Sequence, residues 1–479
     1  MIKMRAKSLF CIVLIFSILF VNNIEAKSVY KLKWISEAGA KTFPDKQQEY
    51  NVVDFGAIGD GITLNTKAIQ DAIDRCASNG GGKVVFRPGK YLTGSIFLRN
   101  GVHLIIDEDV TILGSQNISD YPDTFTRVAG IEMVWPSALI NIINCENAAV
   151  TGKGLINAQG KVFWELYWNM RKVYEPKGLR WIVDYDAKRP RTLLVSNSKN
   201  ITVKDLRIQQ SGFWTIQVLY SKYVTVNGVV IRNNIDGKGP STDGIDIDSS
   251  EGILVDNCDI DCNDDNYCIK AGRDADGLRV NRPTQNVVIK NSISHRGGGV
   301  VTIGSETSGG IKNIYVANMK GIGTSAGVRL KSAKTRGGIV ENIYIENLEL
   351  DSVKSAINIT VDWNPSYSYS KLPEGYNYDS IPVHWKTMLT KVTPPEKGLP
   401  LFRNVYIANI KGENIQEAIF ADGSENILLK NFYLQNIKLN SKKPATIKNT
   451  ENWNLKNVKI NASEAKENVL ENNKNLLWK

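Results

Sequence analysis

An all-β, right-handed parallel β-helix with one short capping helix near the N-terminus is the fold this sequence predicts, and three observations predict it. From residue 200 onward one phrase recurs: Asn200-Ile-Thr-Val-Lys-Asp-Leu, then phrases opening at Asn286, Asn313, Asn342, Asn404 and Asn426, mostly 22 to 34 residues apart. A fixed internal repeat marks a stack of similar units. Within each phrase β-branched and polar residues alternate with period two between Gly and Asn, the pattern of short strands ending at bends. Long apolar patterns of period 3.6 are absent from this region, so a helical solenoid is excluded. A β-sandwich would need alternating hairpin turns and a propeller four strands per blade. In a β-helix each repeat is one coil, with inward Ile, Val and Leu forming a continuous core. Asparagines at the bends would then hydrogen-bond along the stack, coils being about 4.8 Å apart.

Residues 1–26 have the pattern of a secretory signal: Lys3, Arg5 and Lys7 precede an apolar run from Leu9 to Val21, and polar residues lead to Ala26. This thirteen-residue run falls short of the roughly 20 residues that span a bilayer. The expected product is a soluble protein, secreted or periplasmic, with no membrane partner after signal removal. Residues 27–49 form an N-terminal extension, and residues 50–479 are expected to be a single β-helix domain and a monomer. Residues 66–79 predict the capping helix: Ile69, Ala72, Ile73, Cys76 and Ala77 share one face, Asn65 or Thr66 is the N-cap, and Gly80 to Gly82 end it. Such a cap covers strand edges that an open stack would leave unpaired. Residues 158–192 and 359–400 interrupt the repeat as long loops, the places where solenoids build binding surfaces. Their Trp164, Trp168, Trp181, Trp363, Tyr367, Tyr369 and Trp385 suit either stacking on sugar faces or packing of the loops onto the coils.

The net charge of +10 becomes +8 when the three cations and one acid of residues 1–26 are removed. A basic exported protein suits a polyanionic partner. Nucleic acid is not expected, because no basic run with interleaved aromatics and no nucleic-acid module occurs. Five cysteines remain after the signal: Cys76, Cys145, Cys258, Cys262 and Cys268. That odd, sparse set reads as buried small side chains rather than a disulfide framework. With three histidines in the whole chain, no metal site and no cofactor are expected.

Two acidic clusters stand out: Ser241-Thr242-Asp243-Gly244-Ile245-Asp246 and Asn263-Asp264-Asp265. Asp243 and Asp264 are close to one coil apart and so belong to neighbouring rungs of one groove. Adjacent carboxyls cannot both ionise freely, so one of Asp264 and Asp265 gains a raised pKa and becomes a proton donor, which suits hydrolysis of a glycosidic bond. Asp246, Asp248, Asp259 and Asp261 are expected to decorate turns. In Gly327-Val-Arg329-Leu-Lys331 two cations share one strand face and suit a substrate carboxylate. Lys270 is a third cation near the acids.

Together these segments, with Ile303-Gly304-Ser305-Glu306, Phe213-Trp214-Thr215, Asp54-Phe-Gly-Ala and Asn65-Thr-Lys-Ala-Ile-Gln, occur in an order that resembles the polygalacturonases, glycoside hydrolase family 28, over about residues 50 to 460. Within that family the chain looks like the bacterial exo-acting branch. The resemblance implies a pectin-lyase-like solenoid that hydrolyses α-galacturonosyl linkages of acidic pectic polysaccharide with inversion. Asp264 would protonate the leaving oxygen, Asp243 and Asp265 would activate water, and Arg329 and Lys331 would bind a galacturonate carboxylate, aided by Lys270. Where the family has a histidine ahead of Ile-Gly-Ser, this chain has Gly298 or Gly299, and His295 stands three or four residues earlier. Either a local bulge lets His295 reach the groove and bind substrate, or that role is lost, and the altered wall suits a neighbouring sugar other than galacturonate, such as the rhamnose of rhamnogalacturonan. Two other classes share the architecture, a polysaccharide lyase and a non-catalytic carbohydrate-binding β-helix.

Overall fold

A computed structural model describes residues 28–464 and 467–479; residues 1–26, expected to be a secretory signal, lie outside the described residues. Twenty-nine strands join in one parallel ladder, and a separate antiparallel hairpin pairs Asp123–Val128 with Ile131–Pro136. Every coil contributes a strand to each of three faces. The first face carries Ile216–Leu219, Ile245–Asp248, Tyr267–Lys270, Gly299–Ile303, Ala326–Lys331 and Ser355–Thr360 in successive coils.

On this face the strands are 4 to 6 residues long, and their residues alternate. Ile245, Tyr267, Val301, Val328 and Ile357 stack inward, coil on coil, and each is at most 1% exposed. Each such aliphatic side chain contributes roughly 1.5–3 kcal/mol through removal from water. Asparagines occupy the bends at positive φ, among them Asn313, Asn318, Asn342, Asn347 and Asn409. Their amides hydrogen-bond from one coil to the next, Asn291 to Asn318 to Asn347 to Asn409 to Asn436 to Asn457, at 2.9–3.2 Å. Asparagine suits both demands: it tolerates the left-handed backbone and carries donor and acceptor on one side chain.

The N-terminal end is covered by the helix Thr66–Ser78, whose Ile69, Ala72, Ile73 and Cys76 are fully buried. Asn65 holds the N-cap position but does not cap; its side chain turns back to bond Ile58 N at 2.7 Å. Residues 28–43 run along the outside of the coils. Tyr30, Leu32, Trp34 and Ile35 pack against Val288, Tyr315 and Tyr344, and Val29 N donates to Glu346 at 2.8 Å. All five described cysteines are buried, and no two of them are joined. No helix among the described residues is long and apolar enough to cross a membrane.

The two interruptions are not irregular loops. The first holds the helix Lys161–Tyr174 and the short turn Val183–Asp186; the second holds Pro365–Ser368 and Val383–Leu389. They pack on each other and on the hairpin: Trp135, Trp181, Tyr185, Phe213, Trp385 and Met388 share one apolar cluster. Trp181 Nε1 donates to Lys371 O at 3.0 Å, tying the first excursion to the second. The period-two reading missed these helices because they lie outside the repeat; Phe163 packs into the coil core, and Trp181 and Trp385 pack with Phe213 and Trp214. The result is a roof over the first face.

Candidate active site

The roof matters because of what lies beneath it. Strand pairing sets Ile245 opposite Tyr267, so Asp243 stacks on Asp265 of the next coil, and Asp264 comes one residue earlier. Backbone bonds fix these bends: Gly244 N donates to Asp265 O at 3.0 Å, Thr215 N to Asp243 O at 2.9 Å, and Gly298 N to Asp264 O at 2.8 Å. Two coils farther along the same outer face stand Arg329 and Lys331. All three aspartates, Lys270 and Lys331 line a single cavity with Arg180, Asp184, Phe213, Trp214, Ser241, Glu306, Trp363 and Tyr367.

The three carboxyls have unlike surroundings. Asp265 is 1% exposed; its Oδ2 accepts from Lys331 Nζ at 2.7 Å, and its Oδ1 from Thr302 Oγ1 at 2.7 Å and Arg329 Nη1 at 3.3 Å. Burial alone would raise its pKa, but Lys331, Arg329 and Lys270 outweigh burial and hold the carboxyl below the usual range. Among the described residues Asp264 makes no bond to a cation; its Oδ1 accepts the Asp265 N–H at 3.0 Å. Burial and the adjacent Asp265 charge raise it. Asp243 is raised well above the ordinary value by burial and then by Asp246 and Asp264, and its Oδ1 has no hydrogen-bond partner among the described residues. Its Oδ2 lies 3.7 Å from Lys270 Nζ. A neutral acid beside a fixed anion is what general-acid chemistry on a glycosidic oxygen requires.

Lys270 is an internal counter-ion rather than a free hand. It stands 3.4–3.7 Å from Asp243, Asp246 and Glu306 and 4.8 Å from the centre of the Trp214 ring. Burial lowers its pKa, yet its partners win and raise it well above the usual value. Asp246 and Asp248 do not sit in turns: both lie in the strand Ile245–Asp248, fully buried, Asp248 paired with Arg127 at 2.9 Å. Asp259 and Asp261 also belong to a strand, Asp259–Asp261. In Ile-Asp-Ile-Asp the period-two alternation signalled a strand, and the roof buries the acidic face that would otherwise meet water.

His295 is not brought into the cavity. It ends the strand Thr284–His295 on the third face, and its Nε2 lies 3.0 Å from Asp259 Oδ1. The bend at residues 296–298 separates that face from the site, so no bulge delivers the imidazole. Nor is there room for a side chain at the nearby glycines: a Cβ at Gly298 would collide with Asp265 Oδ1 and at Gly299 with Thr302 Oγ1. Of the seven loop aromatics, Trp363 and Tyr367 line the cavity, whereas Trp164, Trp181 and Trp385 are buried in packing. Glu306 was present in a recognised segment, but Arg180 and Asp184 carried no local signal. Asp243, Asp265 and Cys268 place ligand atoms within 4.8 Å of one another; Asp265 is already neutralised by two cations and burial raises the Cys268 thiol, so the set suits a metal ion poorly.

The family model described as Glycosyl hydrolases family 28 matches residues 96–384, and that of Rhamnogalacturonase A/epimerase, pectate lyase-like, matches residues 50–122. The chain belongs to glycosyl hydrolase family 28. This family 28 hydrolase is 27% identical over 443 residues to the exo-poly-alpha-D-galacturonosidase of Dickeya chrysanthemi, covering 85% of this chain and 70% of the relative. It is 26% identical over 408 residues to the endo-polygalacturonase of Pectobacterium parmentieri, covering 82% and 87%. Its structure resembles that of a Thermotoga maritima exopolygalacturonase, TM-score 0.77 at 26% identity, covering 90% of this chain and 95% of that one. Membership sets aside the lyase and the non-catalytic readings. The protein is a glycoside hydrolase.

Proposed function

We propose that this family 28 hydrolase releases galacturonic acid from the chain end of pectic galacturonan by single displacement with inversion. The observation that carries the reading is the opposed electrostatics of two neighbours, Asp264 raised and Asp265 held anionic by Lys331 and Arg329. Asp264 protonates the leaving oxygen. Asp265 deprotonates a water on the opposite side of the sugar, and Asp243 helps to orient that water; inverting enzymes leave roughly 6.5–9.5 Å between acid and base for it. Arg329 and Lys331 carry one positive charge more than Asp265 neutralises, which leaves them able to take a galacturonate carboxylate as well. Trp363 lies beneath both cations, 4.1 Å from Lys331 Nζ and 5.9 Å from the Arg329 guanidinium, and holds them in place by cation–π attraction.

Chain-end action is supported by the roof. Ala129 O accepts from Tyr185 Oη at 2.8 Å, Tyr185 Oη accepts from Arg273 at 2.8 Å, and Arg273 donates to Tyr367 O at 2.7 Å, so hairpin and both excursions are bonded across one end of the cavity. The match of residues 50–122 to the Rhamnogalacturonase A/epimerase model is the support for including rhamnogalacturonan fragments as substrates. The amino-terminal pattern and basic charge support export towards an acidic polysaccharide. Chromatography of products from polygalacturonan beside rhamnogalacturonan oligosaccharides tests the reading: monomer as the sole early product supports it, and a ladder of oligomers refutes chain-end action.

A further inference from the structure

One cation in the cavity belongs to neither cluster described above. Arg180 comes from the first excursion, where it stands 2.8 Å from Asp184 through Nη1 alone; among the described residues its Nε and Nη2 make no hydrogen bond. Asp184 does not need Arg180 for neutrality. Its Oδ1 accepts from Arg189 at 3.2 Å and from Ser241 Oγ at 2.8 Å, so two guanidiniums share one carboxylate and a positive charge is left over. Arg189 is fully buried and spends its other donors on Pro240 O and Ala187 O. The surplus therefore resides on Arg180, whose side chain keeps 13% exposure in the cavity wall.

Its place is fixed. The guanidinium lies 5.1 Å from the centre of the Tyr367 ring, Lys331 lies over Trp363, and the two ring centres are 5.5 Å apart. Arg180 and the Arg329–Lys331 pair thus stand over two different rings of the cavity wall, Tyr367 and Trp363, which meet edge to face, and Arg180 is on the side bonded shut by Ala129, Tyr185 and Tyr367. A substrate with a carboxylate on successive sugars would present one to each position.

We propose that Arg180 is a specificity-determining residue that binds the carboxylate of the sugar the enzyme releases. The assignment rests on the galacturonan reading and adds to it a second carboxylate site built by the excursion. A guanidinium with free donors forms charge-assisted hydrogen bonds to a carboxylate, and one lost partner in an enclosed site costs tenfold or more in affinity.

The test compares trigalacturonate with an analogue carrying galactose in place of galacturonate at the released position, for wild type, R180Q and R180K. The expected result is that R180Q loses at least tenfold in kcat/KM on trigalacturonate, chiefly through KM. It keeps the wild-type rate on the galactose analogue within twofold, which also shows that the variant folds, and R180K recovers part of the loss. Equal loss on both substrates, or no loss on trigalacturonate with an active wild type, overturns the role of Arg180 alone. A wild type that turns over neither overturns the galacturonan reading, and this proposal with it.

Discussion

Replacing Lys331 by methionine removes the closest cation from Asp265 while keeping most of the side-chain volume. The two groups are 2.7 Å apart, with side chains 4% and 1% exposed, so solvent screens the pair little. At an effective dielectric near 20, unit charges about 4 Å apart interact by roughly 4 kcal/mol. At about 1.4 kcal/mol per pKa unit, that is roughly 3 units of support for the Asp265 anion. Arg329, at 3.3 Å, and Thr302 remain, so a rise of about 1–3 units is expected. The assay is the pH dependence of kcat, which a weaker grip on substrate leaves in place. The acid limb, a property of the coupled carboxyls as a set, moves up by at least one unit in K331M. The stability sign follows. Asp265 has a depressed folded pKa, so its stabilisation is present above the unfolded value and lost as pH falls through the folded one. K331M therefore melts lower at neutral pH, by an amount near the roughly 3–5 kcal/mol of a broken buried pair. An acid limb unchanged in K331M would refute the reasoning.

Asp264→Asn abolishes turnover, by a factor of about 100 or more for a lost general acid, while binding of galacturonan oligomers measured by calorimetry persists. Asp243→Asn is equally inactive yet melts higher at neutral pH, because it removes a buried carboxyl crowded by Asp246 and Asp264; its raised folded pKa means that the wild-type group opposes folding as pH rises towards and through that value. His295→Ala changes kcat/KM less than twofold and stability by at most about 1 kcal/mol, since its partly exposed ring only pairs with Asp259. Chelator leaves the initial rate unchanged, because the Asp265 oxygens are bonded to Lys331, Arg329 and Thr302.

What could be read in the chain was whatever repeats or alternates locally. Asn313, Asn342 and Asn404 announced the bends and their ladders. Arg329 and Lys331 announced a shared strand face, and the spacing of Asp243 and Asp264 announced neighbouring coils. The one-residue difference between that spacing and the true register, which stacks Asp243 on Asp265, depends on strand pairing and has no local mark. Arg180, Trp363 and Tyr367 reach the cavity only because two excursions some 180 residues apart pack together, as in the bond from Trp181 to Lys371 O across 190 positions. Asp246 and Asp248 were misread as turn residues because their burial is imposed from outside the repeat, by that same roof.

The central claim is that Asp264 acts as acid against a water held by Asp265 and Asp243. Time-resolved proton NMR of trigalacturonate hydrolysis tests it most directly. The account predicts that galacturonic acid with the β anomeric configuration appears first from the α-linked substrate, before mutarotation, and that D264N gives none. First-formed α product, or an undiminished rate in D264N, would contradict it.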